Sequence, residues 1–274
     1  MVKAIFFDID GTLREFDGGG ICGSTKRALA EARKAGIRLF IATGRHYLEI
    51  EEENLLEDLE FDGYVTLNGQ YCFLKDPGKE AQRVVYKNPI CQEQVKQILD
   101  LIEEDPFPCL FMEAHKMYIN YADERVERVQ RGIGTAIPPV ADIQRAARHE
   151  IFQIVPYMDK KRIAELVGKL PRCDASLWHD GDAVDLMPKG SSKVTGIRNI
   201  LFHLGISREE TAAIGDGRND ITMLRFAGTG IAMGNAFPET KEAADYVTGD
   251  IKEDGLAQAV RWLMELFPFR TSSK

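Results

Sequence analysis

Short apolar runs punctuate this chain, and several of them stop abruptly at polar clusters. Residues 4–7 (AIFF) have no polar alternation, which predicts a strand buried on both faces. Ser24 reads as the N-cap of a helix that runs through Leu29 and Ala32, with Gly36 as its stop. Residues 37–42 (IRLFIA) form a second apolar strand, and residues 64–67 a third that ends at Asn68-Gly69. Between these two, Glu49, Glu51, Glu52, Glu53, Glu57 and Asp58 predict a helical stretch with a solvated acidic face. Short apolar strands separated by helices imply a parallel sheet covered on both sides.

The texture then changes. After a strand at 71–74, KDPGKE (75–80) reads as a turn and 83–86 as a returning strand. From about Asn88 the order becomes helix (92–104), strand (109–113) and strand (117–121), turning at His115-Lys116. A similar order recurs as a helix at 160–170 and strands at 175–178 and 183–187, with a hairpin across Asp180-Gly181. The repeat is weak, at pattern level only. Strand–helix alternation returns after Pro188. A helix at 193–204 stops at Gly205, a strand at 211–214 leads into GDGRND, and a helix at 221–226 stops at Gly228. A strand at 230–233, a short strand at Tyr246-Val247 and a helix at 255–266 follow. The expected fold class is therefore α/β: a doubly wound, Rossmann-like parallel-sheet core in two parts, 1–86 and 188–274. An α+β module, 87–187, is inserted between them.

Composition excludes more than it identifies. The 274 residues are 44% hydrophobic and 28% charged, ordinary for a globular enzyme. A net charge of -8 argues against broad nucleic-acid or anionic-membrane binding. The apolar stretches are too short for a transmembrane helix, and Lys3 and Asp8 interrupt anything like a signal peptide. Five scattered cysteines, none at CxxC spacing, suggest reduced thiols in the cytoplasm. Oligomeric state is not legible.

Candidate chemistry gathers at one edge. Ligands of doubly wound sheets bind beyond the carboxyl ends of the strands. At or near that edge lie Asp8, Asp10, Gly11 and Thr12; then Thr43, Gly44 and Arg45; then Lys193; then Gly215, Asp216 and Gly217 with Asn219 and Asp220. Asp8, Asp10 and Asp216 offer hard oxygen ligands suited to Mg²⁺. Thr43 and nearby N–H groups suit phosphate oxygens, and Lys193 at a helix start puts a cation where an anion would sit.

DIDGT, ATGR, the later Lys193 and GDGRND together resemble the four motifs of the haloacid dehalogenase-like superfamily of phosphatases and phosphotransferases. LNG at 67–69 and GIAMGNA at 230–236 resemble its Cof-type branch (subclass IIB), in which a cap domain lies between the second and third motifs. The resemblance implies that Asp8 is the nucleophile forming an aspartyl-phosphate and Asp10 the acid/base. It implies that Thr43, with Gly44, and Lys193 hold the phosphoryl group, and that Asn219 orients the site. Asp8, the Asp10 carbonyl and Asp216 would bind Mg²⁺, and Asp220 would support the metal shell or Lys193. The implied partner is a small phosphorylated metabolite, a sugar phosphate or similar, whose size a closing cap would limit. The motifs leave open a phosphomutase or phosphotransferase, and a non-enzymatic phospho-acceptor switch.

Other residues carry two readings each. Arg45 and His46 either touch substrate or lie on the surface. Asn235 either approaches the site or makes a turn. Arg218 is expected to face solvent, and the effect of Arg14 is open. His115, His179 and Trp178 are expected in packing or turns, and the aromatic end (Trp262, Phe267, Phe269) against the core.

Overall fold

The computed structural model describes residues 1–15, 19–76, 81–178 and 181–266. The contacts divide the chain into two compact units. The first comprises Met1–Arg45, Asn54–Tyr86 and Ser192–Lys274; the second comprises His46–Glu53 and Lys87–Ser191. The pattern boundary at 187/188 thus falls a few residues earlier than the contact boundary. The acidic helix expected in the first core part belongs to the second unit by its contacts.

Among the described residues, thirteen strands build two sheets. β1 (Ala4–Phe7), β2 (Arg38–Ala42), β3 (Gly63–Thr66), β4 (Tyr71–Lys75) and β5 (Gln82–Lys87) come first. β6 (Cys109–Met112), β7 (Met117–Ile119), β8 (Gln153–Pro156), β9 (Cys173–Leu177) and β10 (Val184–Pro188) follow. β11 (Thr211–Gly215), β12 (Thr229–Ala232) and β13 (Tyr246–Val247) close the chain.

The first unit holds the sheet β13-β12-β11-β1-β2-β3-β4-β5. It is parallel from β13 to β3, and β4 runs antiparallel to β3. All four residues of β1 are fully buried, which explains the run without alternation. Phe6 is paired in register with Phe40, and their rings stack at 4.9 Å. Helix Lys193–Leu204 packs on the β3–β4 side, and helices Gly23–Lys34 and Gly255–Leu266 pack against each other. Chain order reverses at β1, which lies between β2 and β11. That makes its carboxyl end a topological switch point, where ligands of such sheets bind.

The second unit carries the sheet β7-β6-β8-β10-β9, whose pairs are antiparallel. Helix Gln92–Glu104 buries Val95, Ile98, Leu99 and Ile102, and Phe111 and Leu186 from the sheet join the same core.

Local differences from the sequence reading have physical causes. Ser24 lies inside helix Gly23–Lys34, whose N-cap is Cys22; its hydroxyl donates to Asp254 instead of capping. The acidic helix is only Tyr47–Glu52, because Asn54 and Glu57 take left-handed backbone conformations that a helix cannot continue through. The sequence reading predicts no helix at Glu124–Ile133: half of its residues are charged, and its apolar stripe is as thin as Val126 and Val129. Asp123 caps it through two backbone N–H groups. β8 was also missed. Most of the expected turn at 75–80 lies outside the described residues, as do Asp180, His179, Phe267 and Phe269. Trp262 packs as expected, stacked on Tyr246 at 4.2 Å.

Candidate active site

Parallel register lines up three strand ends. Phe7 is paired with Ile41 on one side and Ile214 on the other, so Asp8, Thr43 and Asp216 emerge along one edge. Every residue of the site described here belongs to the first unit.

Lys193 organises the anions. Its side chain is fully buried, and Nζ donates to Asp8 Oδ1 and Asp220 Oδ1, each at 2.6 Å. Burial alone would lower the lysine's pKa, but Asp220 and Asp8 together hold it above the ordinary value. The other oxygen of Asp220 accepts the N–H groups of Asp216 (3.0 Å) and Gly217 (2.9 Å). Asp220 therefore serves Lys193 and the 215–217 backbone with both of its oxygens.

Asp216 accepts from the Thr12 hydroxyl at 3.0 Å. Gly11, at φ +80, lies so close that a Cβ there would come within 2.2 Å of the Asp216 carboxylate. Only glycine meets both demands. Burial first, then Asp220, pushes the Asp216 pKa up to about 7. Burial also raises Asp8 well above the usual range; Lys193 opposes this, while Asp220, Asp216 and Asp10 add to it.

One carboxylate oxygen from each of Asp8, Asp216 and Asp220 lies within 4.8 Å of the other two. Four carboxylates, with Asp10, face two cations, Lys193 and Arg45, which leaves two negative charges. An all-oxygen, over-anionic cluster in which burial pushes Asp8 and Asp216 toward protonation fits a hard divalent cation.

Thr43 is buried and its hydroxyl accepts from the Arg45 N–H at 3.1 Å. Gly44 faces the Asn68 amide, 3.2 Å from where a Cβ would stand. Asn219 Nδ2 donates to Asn68 Oδ1 at 3.3 Å.

Sequence reasoning left several other residues open. Arg45 is neither solvent-facing nor loose: its guanidinium forks onto the Asp10 carboxylate at 2.6 and 2.8 Å. Asn235 Nδ2 donates to the Gly11 carbonyl at 2.8 Å, tying its loop to the one after β1. Arg14 accepts the Gly11 N–H through its carbonyl and bridges Asp10 through backbone. The surface reading of His46 is overturned. It is buried in the second unit, where Nδ1 accepts from the Leu48 N–H and Nε2 bonds the Glu113 carbonyl at 2.6 Å. Arg218 is largely exposed as expected, paired with Glu239. Trp178 donates to Asp185 at 2.7 Å within the second unit.

Comparison with known proteins bears on this edge. Residues 5–260 match the family model of the haloacid dehalogenase-like hydrolases. The chain belongs to that family. It is 36% identical over 264 residues to the protein named "Putative phosphatase YkrA" of Bacillus subtilis (strain 168), covering 95% of this chain and 97% of that one. It is 30% identical to pyridoxal phosphate phosphatase YbhA of Escherichia coli (strain K12), covering 94% and 97% of the two chains. The solved structure of the subclass IIB sugar phosphatase BT4131 superposes with a TM-score of 0.81 at 38% identity, over 96% of this chain and 99% of that one. The chain is accordingly an enzyme, a phosphatase of this hydrolase family. Among the described residues no helix is long and apolar enough to cross a membrane.

Proposed function

We propose that this enzyme hydrolyses small phosphorylated metabolites, sugar phosphates or similar, with Mg²⁺ and through an aspartyl-phosphate on Asp8, and that it works in the cytoplasm. The observation that carries the reading is Lys193, buried between Asp8 and Asp220 at the switch-point edge. A buried lysine on the nucleophile's oxygen favours the carboxylate that attack requires.

The residues divide the work. Asp8 attacks phosphorus in line with the leaving oxygen. Asp10 gives that oxygen a proton and later takes one from the water that cleaves the acyl phosphate. Lys193 and Thr43, with the Gly44 backbone, hold and neutralise the phosphoryl oxygens, and Asn219 orients them. Asp8, Asp216 and the Asp10 carbonyl would hold Mg²⁺, with Asp220 fixing Lys193 behind them. When bound, the ion supplies charge neutralisation at the phosphoryl oxygens and keeps the carboxylates ionised. The names of the sugar and pyridoxal phosphate phosphatases among the relatives support a small ester as substrate.

Phosphate release from a panel of small esters, with Mg²⁺ and with chelator, tests this for wild type and Asp8→Asn. Metal-dependent release abolished by Asp8→Asn is expected. Isomerised sugar phosphate in place of free phosphate would make the enzyme a mutase. A stable phospho-Asp8 with negligible turnover would make it a switch.

A further inference from the structure

The turn that follows β3 is strained where a connection could have been relaxed. Leu67 (φ 52), Asn68 (φ 53) and Gly69 (φ 95) are three successive left-handed residues, two of them with side chains. Left-handed backbone is unfavourable for a leucine in particular. The next residue, Gln70, is fully buried, and its Oε1 has no hydrogen-bond partner among the described residues. Costs of this kind persist where the surroundings over-determine a conformation, and they cluster at working sites.

The surroundings here are the site's own loops. The Leu67 N–H donates to the Arg45 carbonyl at 3.2 Å, and the Asn68 N–H donates to the Thr43 carbonyl at 3.0 Å. Successive N–H groups of an ordinary strand point to opposite sides; the left-handed turn aims both at the 43–45 loop. The Asn68 side chain accepts from Asn219 at 3.3 Å and abuts Gly44. Gly69 presses against the Ser192 carbonyl, where a Cβ would stand only 2.2 Å away, at the cap of the helix that Lys193 begins. One three-residue turn thus touches the loop of Thr43, the helix start of Lys193 and the loop of Asn219.

We propose that Asn68 is a positioning residue for phosphoryl binding: its left-handed backbone clamps the 43–45 loop while its amide ties that loop to Asn219. The proposal rests on the reading of this edge as a phosphoryl site. Asn68 acts through Thr43 and Asn219, not by touching the reacting atoms. Asparagine suits the post because it tolerates the left-handed region and still carries an amide.

The test compares Asn68→Gly, Asn68→Ala, Asn219→Ala and the double variant Asn68→Gly/Asn219→Ala. Turnover is followed with p-nitrophenyl phosphate, inorganic phosphate affinity by calorimetry, and stability by thermal midpoint. Glycine keeps the turn and deletes the bridge. Asn68→Gly should therefore melt no lower than wild type, yet lose roughly ten-fold in kcat/KM and bind phosphate correspondingly more weakly. Asn68→Ala should melt lower as well, because alanine is strained there. In the Asn219→Ala background, Asn68→Gly should cost less than about two-fold more.

Wild-type turnover and phosphate affinity in Asn68→Gly would overturn the proposal, as would fully independent effects of the two single variants. If wild type cleaves no ester but binds phosphate, the hydrolytic reading fails, and the phosphate affinity of Asn68→Gly still decides the role of Asn68. If wild type binds no phosphate, both fall.

Discussion

Arg45 grips Asp10 with two parallel hydrogen bonds, Nε to Oδ2 at 2.6 Å and Nη2 to Oδ1 at 2.8 Å. The pair joins the loop after β1 to the loop after β2, and the fork geometry fixes the carboxylate's plane as well as its distance. A lysine could match the charge but not the plane.

Arg45→Lys and Arg45→Ala should therefore disorient Asp10 without removing it. Turnover of an alkyl phosphate, whose leaving oxygen needs a proton, should fall roughly a hundred-fold. Release of p-nitrophenolate, which leaves without one, should fall much less. Parallel steady-state assays on the two ester types check this; equal losses would sink the positioning role.

Lys193→Met removes the cation between two buried carboxylates. Uncompensated buried charge typically costs about 3–5 kcal/mol, so the urea midpoint at neutral pH should drop sharply and turnover should vanish. Adding Asp220→Asn should recover part of the stability and none of the activity. Urea titrations of the single and double variants measure both.

Asp216 makes the metal-free protein lose stability as pH rises through the acid range. Its folded pKa of about 7 exceeds the ordinary 3.8, so the native state holds a proton that the unfolded state has released. Stability in chelator should be fully present below pH 4 as far as this group is concerned, and lost as pH rises toward 7. Mg²⁺ should flatten that loss, and Asp216→Asn should remove this group's share of it, leaving the share that Asp8 contributes. Urea midpoints across this range, with chelator and with Mg²⁺, provide the comparison.

His46 works in the opposite direction in the second unit. Burial lowers its pKa to about 4 from 6.5, so the native state resists a proton that the unfolded state accepts. Its share of stability should be present above pH 6.5 and lost as pH falls toward 4. His46→Ala should cost about 1–3 kcal/mol by leaving the Leu48 N–H and Glu113 carbonyl unsatisfied. Protection factors in helix Tyr47–Glu52, with the intrinsic exchange rate at each pH divided out, should fall in the variant and, in wild type, at low pH.

Local chemistry alone determined much of this protein. Unbroken apolar runs such as AIFF and RLFIA specify buried parallel strands, because neither face of such a strand meets water. Helix Gln92–Glu104 is legible because its apolar stripe is wide. Strand ends locate Asp8, Thr43 and Asp216 at one edge, because parallel strands all point the same way. Helix Glu124–Ile133 escaped detection because a thin stripe among charges carries little periodic signal.

Partner choice belonged to the tertiary structure. Lys193 meets Asp8 across 185 residues, Thr12 meets Asp216 across 204, and Asn219 meets Asn68 across 151. No local pattern encodes such pairs, since each depends on sheet order and register. Nor does sequence reveal that Arg45 turns inward to Asp10, because a guanidinium's direction is decided by which carboxylate the fold brings within reach.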